Sequence, residues 1–147
     1  MPRFFVAVLT VLALSASAAE EKKSSDEKKG SKKPALGLRA TPRMAFSPAD
    51  IFFTAELKGG DDVEEFYCPE VTWEWGDGGK SVEEGDCDPY TEGAKVERRY
   101  TAHHGYPRAG VFVPKVTLRK SGRAIAAQTV QITVRPGIGD RTMEPQN

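Results

Sequence analysis

The chain has 147 residues, with 21 basic and 21 acidic side chains and two histidines, so its formal charge at neutral pH is zero. Such a balance argues against a nucleic-acid partner, which usually demands a clustered basic face. The residues left after the charged and apolar ends are set aside suffice for one independently folding domain but not for two.

The first element is an address rather than part of a fold. Arg3 precedes an apolar run from Phe4 to Leu14, and Ser15-Ala16-Ser17-Ala18-Ala19 then supplies the small residues that signal peptidase accepts. Residues 1–19 therefore read as a secretory signal, with cleavage after Ala18 or Ala19 fitting equally well. A run this short covers only half of the roughly 20 residues a membrane-spanning helix needs. No cysteine follows the small residues, which argues against a lipid anchor at the new N-terminus. A buried N-terminal helix is the alternative, but the chain turns wholly polar where that helix would continue.

Residues 20–34 form a charged tether. Glu20, Glu21, Asp26 and Glu27 are interleaved with Lys22, Lys23, Lys28, Lys29, Lys32 and Lys33, and no apolar side chain is present up to Lys33. Such a stretch buries too little surface to offset its ordering entropy, and a disordered linker is expected. From Ala35 onward the chain holds 14 basic and 17 acidic residues, a mildly acidic body.

That body, residues 35–136, reads as strands throughout. Leu36 to Ala40 is a short edge strand stopped by Pro42, since proline is tolerated only at edges and ends. Asp50 to Leu57 alternates and places Ile51, Phe53, Ala55 and Leu57 on one face. Lys58 to Asp62 is a loop. Val71, Trp73 and Trp75 share a face of the next strand, which runs directly into Gly76-Asp77-Gly78-Gly79. Asp77 and its flanking glycines, Gly78 among them, are expected to reverse the chain, with the Asp77 carboxylate accepting backbone N–H bonds inside the turn. Lys95 to Thr101 is a further strand, with Val96 and Tyr100 of like parity. Gly110 to Arg119 presents Phe112, Pro114, Val116 and Leu118 on one side. Arg123 to Val134 closes the set with Ala126, Val130, Ile132 and Val134. No stretch sustains a helical apolar period. The reading is an all-β, immunoglobulin-like sandwich of about seven antiparallel strands. Residues 137–147 are expected to be a disordered tail.

The run Trp73-Glu74-Trp75-Gly76-Asp77-Gly78, followed by Arg99-Tyr100-Thr101 and by Gly110 to Leu118, resembles the PKD (polycystic kidney disease) domain family. That family shows a Trp-Asp-Phe-Gly-Asp-Gly-like run, a later Tyr-Thr and a Gly-Thr-Tyr-Thr-Val-Thr-Leu-like strand. The resemblance covers most of Leu36 to Arg135. Pro114 departs from it, standing where an apolar residue of a paired strand is usual, and Thr101 to Ala109 exceeds the family's tight connection. It implies a β-sandwich found mostly outside the cytoplasm, serving as a spacer or binding module, and does not imply catalysis.

Cys68 and Cys87 are the only cysteines. In an exported protein they are most simply one disulfide, clamping the acidic loop after the turn to the start of the tryptophan strand. Their spacing is not Cys-x-x-Cys, which argues against a redox pair. His103 and His104 are adjacent, so on extended backbone they face opposite ways and do not readily chelate one ion. With Gly105, Tyr106, Pro107 and Arg108 they read as an exposed loop, and His103, His104, Tyr106 and Arg108 are the candidate partner contacts. Glu83, Glu84, Asp86 and Asp88 cluster in the acidic loop, with Asp61 and Asp62 as further oxygen donors. Their order matches no EF-hand, and a solvated hairpin tip is the simpler expectation; no metal or cofactor is assigned.

Catalytic equipment is sparse, because both histidines share one segment and the cysteines are expected to be oxidised. The function expected is a secreted, non-catalytic module that binds a protein or glycan outside the cytoplasm, with no nucleic acid and no stable membrane insertion. The alternative is a structural subunit of a larger envelope or extracellular assembly without a small ligand.

Overall fold

The computed structural model describes residues 32–138. The expected signal, most of the tether and most of the C-terminal tail lie outside that range. The described residues form ten strand segments: β1 Ala35–Thr41, β2 Met44–Phe46, β3 Ala49–Lys58, β4 Glu70–Glu74, β5 Lys80–Glu83, β6 Arg99–Tyr106, β7 Gly110–Phe112, β8 Lys115–Lys120, β9 Arg123–Thr129 and β10 Ile132–Arg135. A short 3-10 turn, Glu64–Phe66, precedes β4. Three sheets form in the orders β1-β3-β6, β5-β4-β8-β9 and β2-β10-β7.

Two long strands expected from the sequence are each divided. Gly110 to Arg119 breaks into β7 and β8 at Val113-Pro114, and Arg123 to Val134 breaks into β9 and β10 at Val130-Gln131. The cause is local: Pro114 has no N–H to give the ladder. Its carbonyl still accepts from the Val130 amide at 3.0 Å. The pairing register is also unchanged across the break, with Phe112 opposite Ile132 and Lys115 opposite Thr129. One hairpin thus passes from the four-stranded sheet into the β2-β10-β7 sheet. Joined this way, and with β1 and β2 taken as one interrupted strand, the segments reduce to the seven strands of an immunoglobulin-like sandwich. One pairing departs from the antiparallel rule, as β2 lies parallel to β10.

Alternation builds the core. Ile51, Phe53, Ala55 and Leu57 of β3 are all buried, as are Val71, Trp73 and Trp75 around β4 and Val116 and Leu118 of β8. Phe53 meets Trp75 with ring centroids 5.4 Å apart and Trp73 at 6.3 Å, joining the two sheets. Trp73 and Trp75, two apart on one face, stack at 5.5 Å. Burying aromatic side chains of this size supplies the largest single contributions to such a small core. Trp75 Nε1 donates to Ser81 Oγ at 3.1 Å. Trp73 Nε1 is buried with no partner among the described residues.

Both ends of the body are fastened slightly beyond the expected limits. Lys32 and Asp61 exchange two bonds of 2.8 Å, and Pro34 is buried, so the last residues of the expected tether lie against the domain. At the other end the Gly137 amide donates to Ser47 Oγ at 2.9 Å.

Candidate functional site

The turn after β4 is built around Asp77. The Trp75 amide donates to the Gly79 carbonyl at 3.0 Å, and Asp77 Oδ1 accepts from the Gly79 amide at 2.8 Å, the Asx bond expected of this residue. Gly78 has φ +96° and Gly76 φ +81°; a side chain at Gly76 would in addition run into the backbone of Val113.

The residues expected to form a loop around His103 and His104 are instead a paired strand. β6 runs from Arg99 to Tyr106 and lies antiparallel to β3 in unbroken register, with Ile51 opposite His104 and Ala49 opposite Tyr106. Alternation then divides the candidate contacts. His103 points to the outer face, where its ring meets Phe52 at 4.7 Å and its Nδ1 lies 3.5 Å from Asp50. His104 points inward, stacked on Trp75 at 4.5 Å, with Nε2 2.7 Å from Asp77 Oδ2.

Tyr106 is a correction. Expected as an exposed contact, it is buried, its hydroxyl donates to the Trp75 carbonyl at 2.9 Å, and its ring meets those of His104 and Phe112. The reason is its even spacing from Tyr100, Ala102 and His104, which puts all four on the core side of β6. Burial, with the Asp77 charge adding to it, pushes the Tyr106 phenol well above its ordinary range. Tyr100, also on that side, donates to the Glu97 carbonyl at 2.9 Å, and burial raises its phenol to about 12. Arg108 is exposed in the turn between β6 and β7.

Asp77 therefore has a second role that local sequence did not reveal: it ties the β4–β5 turn to β6. Partial burial works to raise its carboxyl, but the His104 bond and charge and the Gly79 amide outweigh it, leaving Asp77 below its ordinary value. The two side chains are 22% and 24% exposed, so the pair sits at the rim of the core rather than inside it.

Cys68 and Cys87 form the disulfide, with Cα atoms 6.2 Å apart. Gly85 packs against it so closely that a Cβ there would stand 2.4 Å from Cys68 Sγ. Glu83, Glu84, Asp86 and Asp88 are all exposed along this loop. Among the described residues, no three His, Cys, Asp or Glu side chains converge to hold a metal ion.

Neither a protein-family model nor a curated protein matches the sequence. Solved structures do. The PKD domain of an M14-like peptidase from Thermoplasmatales archaeon SCGC AB-540-F20 superposes on 71% of this chain and 98% of its own, with a TM-score of 0.50 and 16% identity. The fold is PKD-like. At that identity the likeness speaks for architecture. In this chain Trp73 and Trp75 stack, Asp77 closes the turn after β4, and Tyr100 and Phe112 pack toward the core.

Proposed function

We propose that this chain is a non-catalytic, PKD-like binding module that works outside the cytoplasm and takes a protein or a carbohydrate as partner. The observation that carries the reading is the outer face of the β1-β3-β6 sheet. Phe52 and His103 are in ring contact there, both reaching solvent, in one row with Thr41 and beside the row of Arg39, Thr54 and Thr101. An aromatic surface beside hydroxyls on a rigid sheet suits the apolar face of a sugar ring or a polar protein surface. A glycan array and a pull-down from envelope extract test this. Saturable binding that disappears in Phe52→Ala or His103→Ala supports it, and binding indifferent to both changes overturns it.

The compartment rests on two supports. A disulfide persists in oxidising surroundings, and residues 1–19 have the pattern of a secretory signal. Among the described residues no helix is long and apolar enough to cross a membrane. Mass spectrometry of the exported protein should find a first residue of Ala19 or Glu20.

A structural subunit is the second reading, favoured by a different surface. Met44, Phe46 and Val111 lie exposed on the outer face of the β2-β10-β7 sheet, Phe46 at 64%, with Val113 exposed just past β7. Grouped exposed apolar side chains mark lasting protein contacts. One stable protein partner that is lost in Phe46→Glu, with no glycan signal, would establish that reading in place of the first.

A further inference from the structure

β6 is an edge strand in the β1-β3-β6 sheet, and its free side is unpaired among the described residues. Hydrogen-bonded pairs alternate along an antiparallel ladder. The Leu57 amide donates to the Arg98 carbonyl at 2.8 Å. In the same register Tyr100, Ala102, His104 and Tyr106 bond to β3, so the backbone groups of Arg99, Thr101, His103 and Gly105 point to the free edge. Edges are normally blunted by proline, charged side chains or a bulge. Over its eight residues this one has no proline and no bulge, and its one arginine, Arg99, stands at its first position.

The neighbouring side of the sandwich is open. On β5, Ser81 and Glu83 sit opposite Trp73 and Val71, positions of core parity, yet both are exposed. Between β5 and the start of β6 lies a cleft of about 300 Å³ in which Glu83, Glu84 and Glu97 gather beside Arg99. Arg99 is already engaged by Glu56 at 3.2 Å.

We infer that two copies of this chain pair antiparallel along β6, about a two-fold axis at Ala102, to form one continuous six-stranded sheet. Pairing only the edge-facing residues, and using all of them, fixes the register. Arg99 falls opposite the partner's Gly105, Thr101 opposite the partner's His103, and Ala102 opposite the partner's Ala102. The smallest side chain of the inner row is thus at the axis, where two copies must approach most closely. The same register carries Arg108, exposed just past β6, to a point opposite the partner's Val96, one residue from Glu97 and the acidic cleft. Symmetry repeats that contact. Shifting the register by two one way sets Arg108 against the partner's Arg98 and Arg99 against Pro107, which has no N–H; shifting it the other way shortens the ladder. A self-complementary patch of this kind is what a closed dimer requires.

Sedimentation equilibrium of the full exported chain over a wide concentration range tests the pairing. A monomer–dimer equilibrium is expected. Thr101→Pro deletes one edge-facing amide while sparing the bonds to β3, and should weaken association by at least roughly tenfold. Arg108→Glu should weaken it similarly by setting like charges together, and Glu97→Arg with Arg108→Glu should restore it. If Thr101→Pro fails to fold, the charge pair decides alone. A monomer at every concentration overturns the inference. So does a dimer untouched by Arg108→Glu, including one broken only by Phe46→Glu, which would place the contact on the β2-β10-β7 face.

Discussion

On the inner face of β6, His104 and Tyr106 are held by Trp75, Asp77 and Phe112; on the outer face His103 touches Phe52 and Asp50 and stays 65% exposed. Two histidines adjacent in sequence therefore occupy different environments, one closing a core and the other offered to solvent. The difference teaches that parity along a strand outranks residue type. A histidine at a core position is tolerated because stacking and a carboxylate satisfy it.

The largest effect should come from the inner side. Trp73→Ala is expected to cost about 3–5 kcal/mol of unfolding free energy, whereas Phe52→Ala on the outer face should cost well under half of that, as read by denaturant titration. Next stands the loop that borders the open side of the sandwich. Removing the bridge with Cys68→Ser and Cys87→Ser together should cost about 3 kcal/mol, and a reductant should produce the same shift in the wild-type chain. Equal melting with and without reductant would contradict a structural role.

Smaller changes separate the two faces more finely. Tyr106→Phe leaves the Trp75 carbonyl without its buried donor and should cost about 1–2 kcal/mol. His103→Ala should fall within about 0.5 kcal/mol of wild type. An equal loss from both would erase the distinction. The acid limb offers a subtler test. Because the folded state holds the Asp77 carboxyl below its ordinary value of 3.8, its stabilisation is present above that value and fades as pH falls through the lower folded one. The melting temperature of wild type should therefore drop between pH 4 and pH 2, roughly, by more than that of Asp77→Asn.

Much of this fold was legible in the sequence because its signals are local. The alternation from Ile51 to Leu57, the paired tryptophans and the Asp77 turn each lie within a few residues of chain, and each corresponds to β3, β4 and the β4–β5 hairpin. Two cysteines, read with an expected secretory signal, sufficed for the bridge. The start of β6 lies within the strand expected over Lys95 to Thr101, but its second half was hidden because the inner row there contains Ala102 and His104, which carry no apolar alternation, while His103, Gly105 and Pro107 resemble a loop. Tyr100 and Tyr106, of equal parity at the two ends, were the available signal. The Asp77–His104 contact spans 27 residues and depends on how two sheets meet, which no local pattern encodes. Likewise, β2 is only three residues long and pairs with a strand far along the chain.

Residue-by-residue hydrogen exchange across 99–106, in dilute protein where the chain is a monomer, tests most directly whether β6 is a two-faced strand. The amides of Tyr100, Ala102, His104 and Tyr106 should be protected and those of Thr101, His103 and Gly105 should exchange quickly. Uniformly fast exchange through this segment would return it to a loop and contradict the inner and outer assignment of the two histidines.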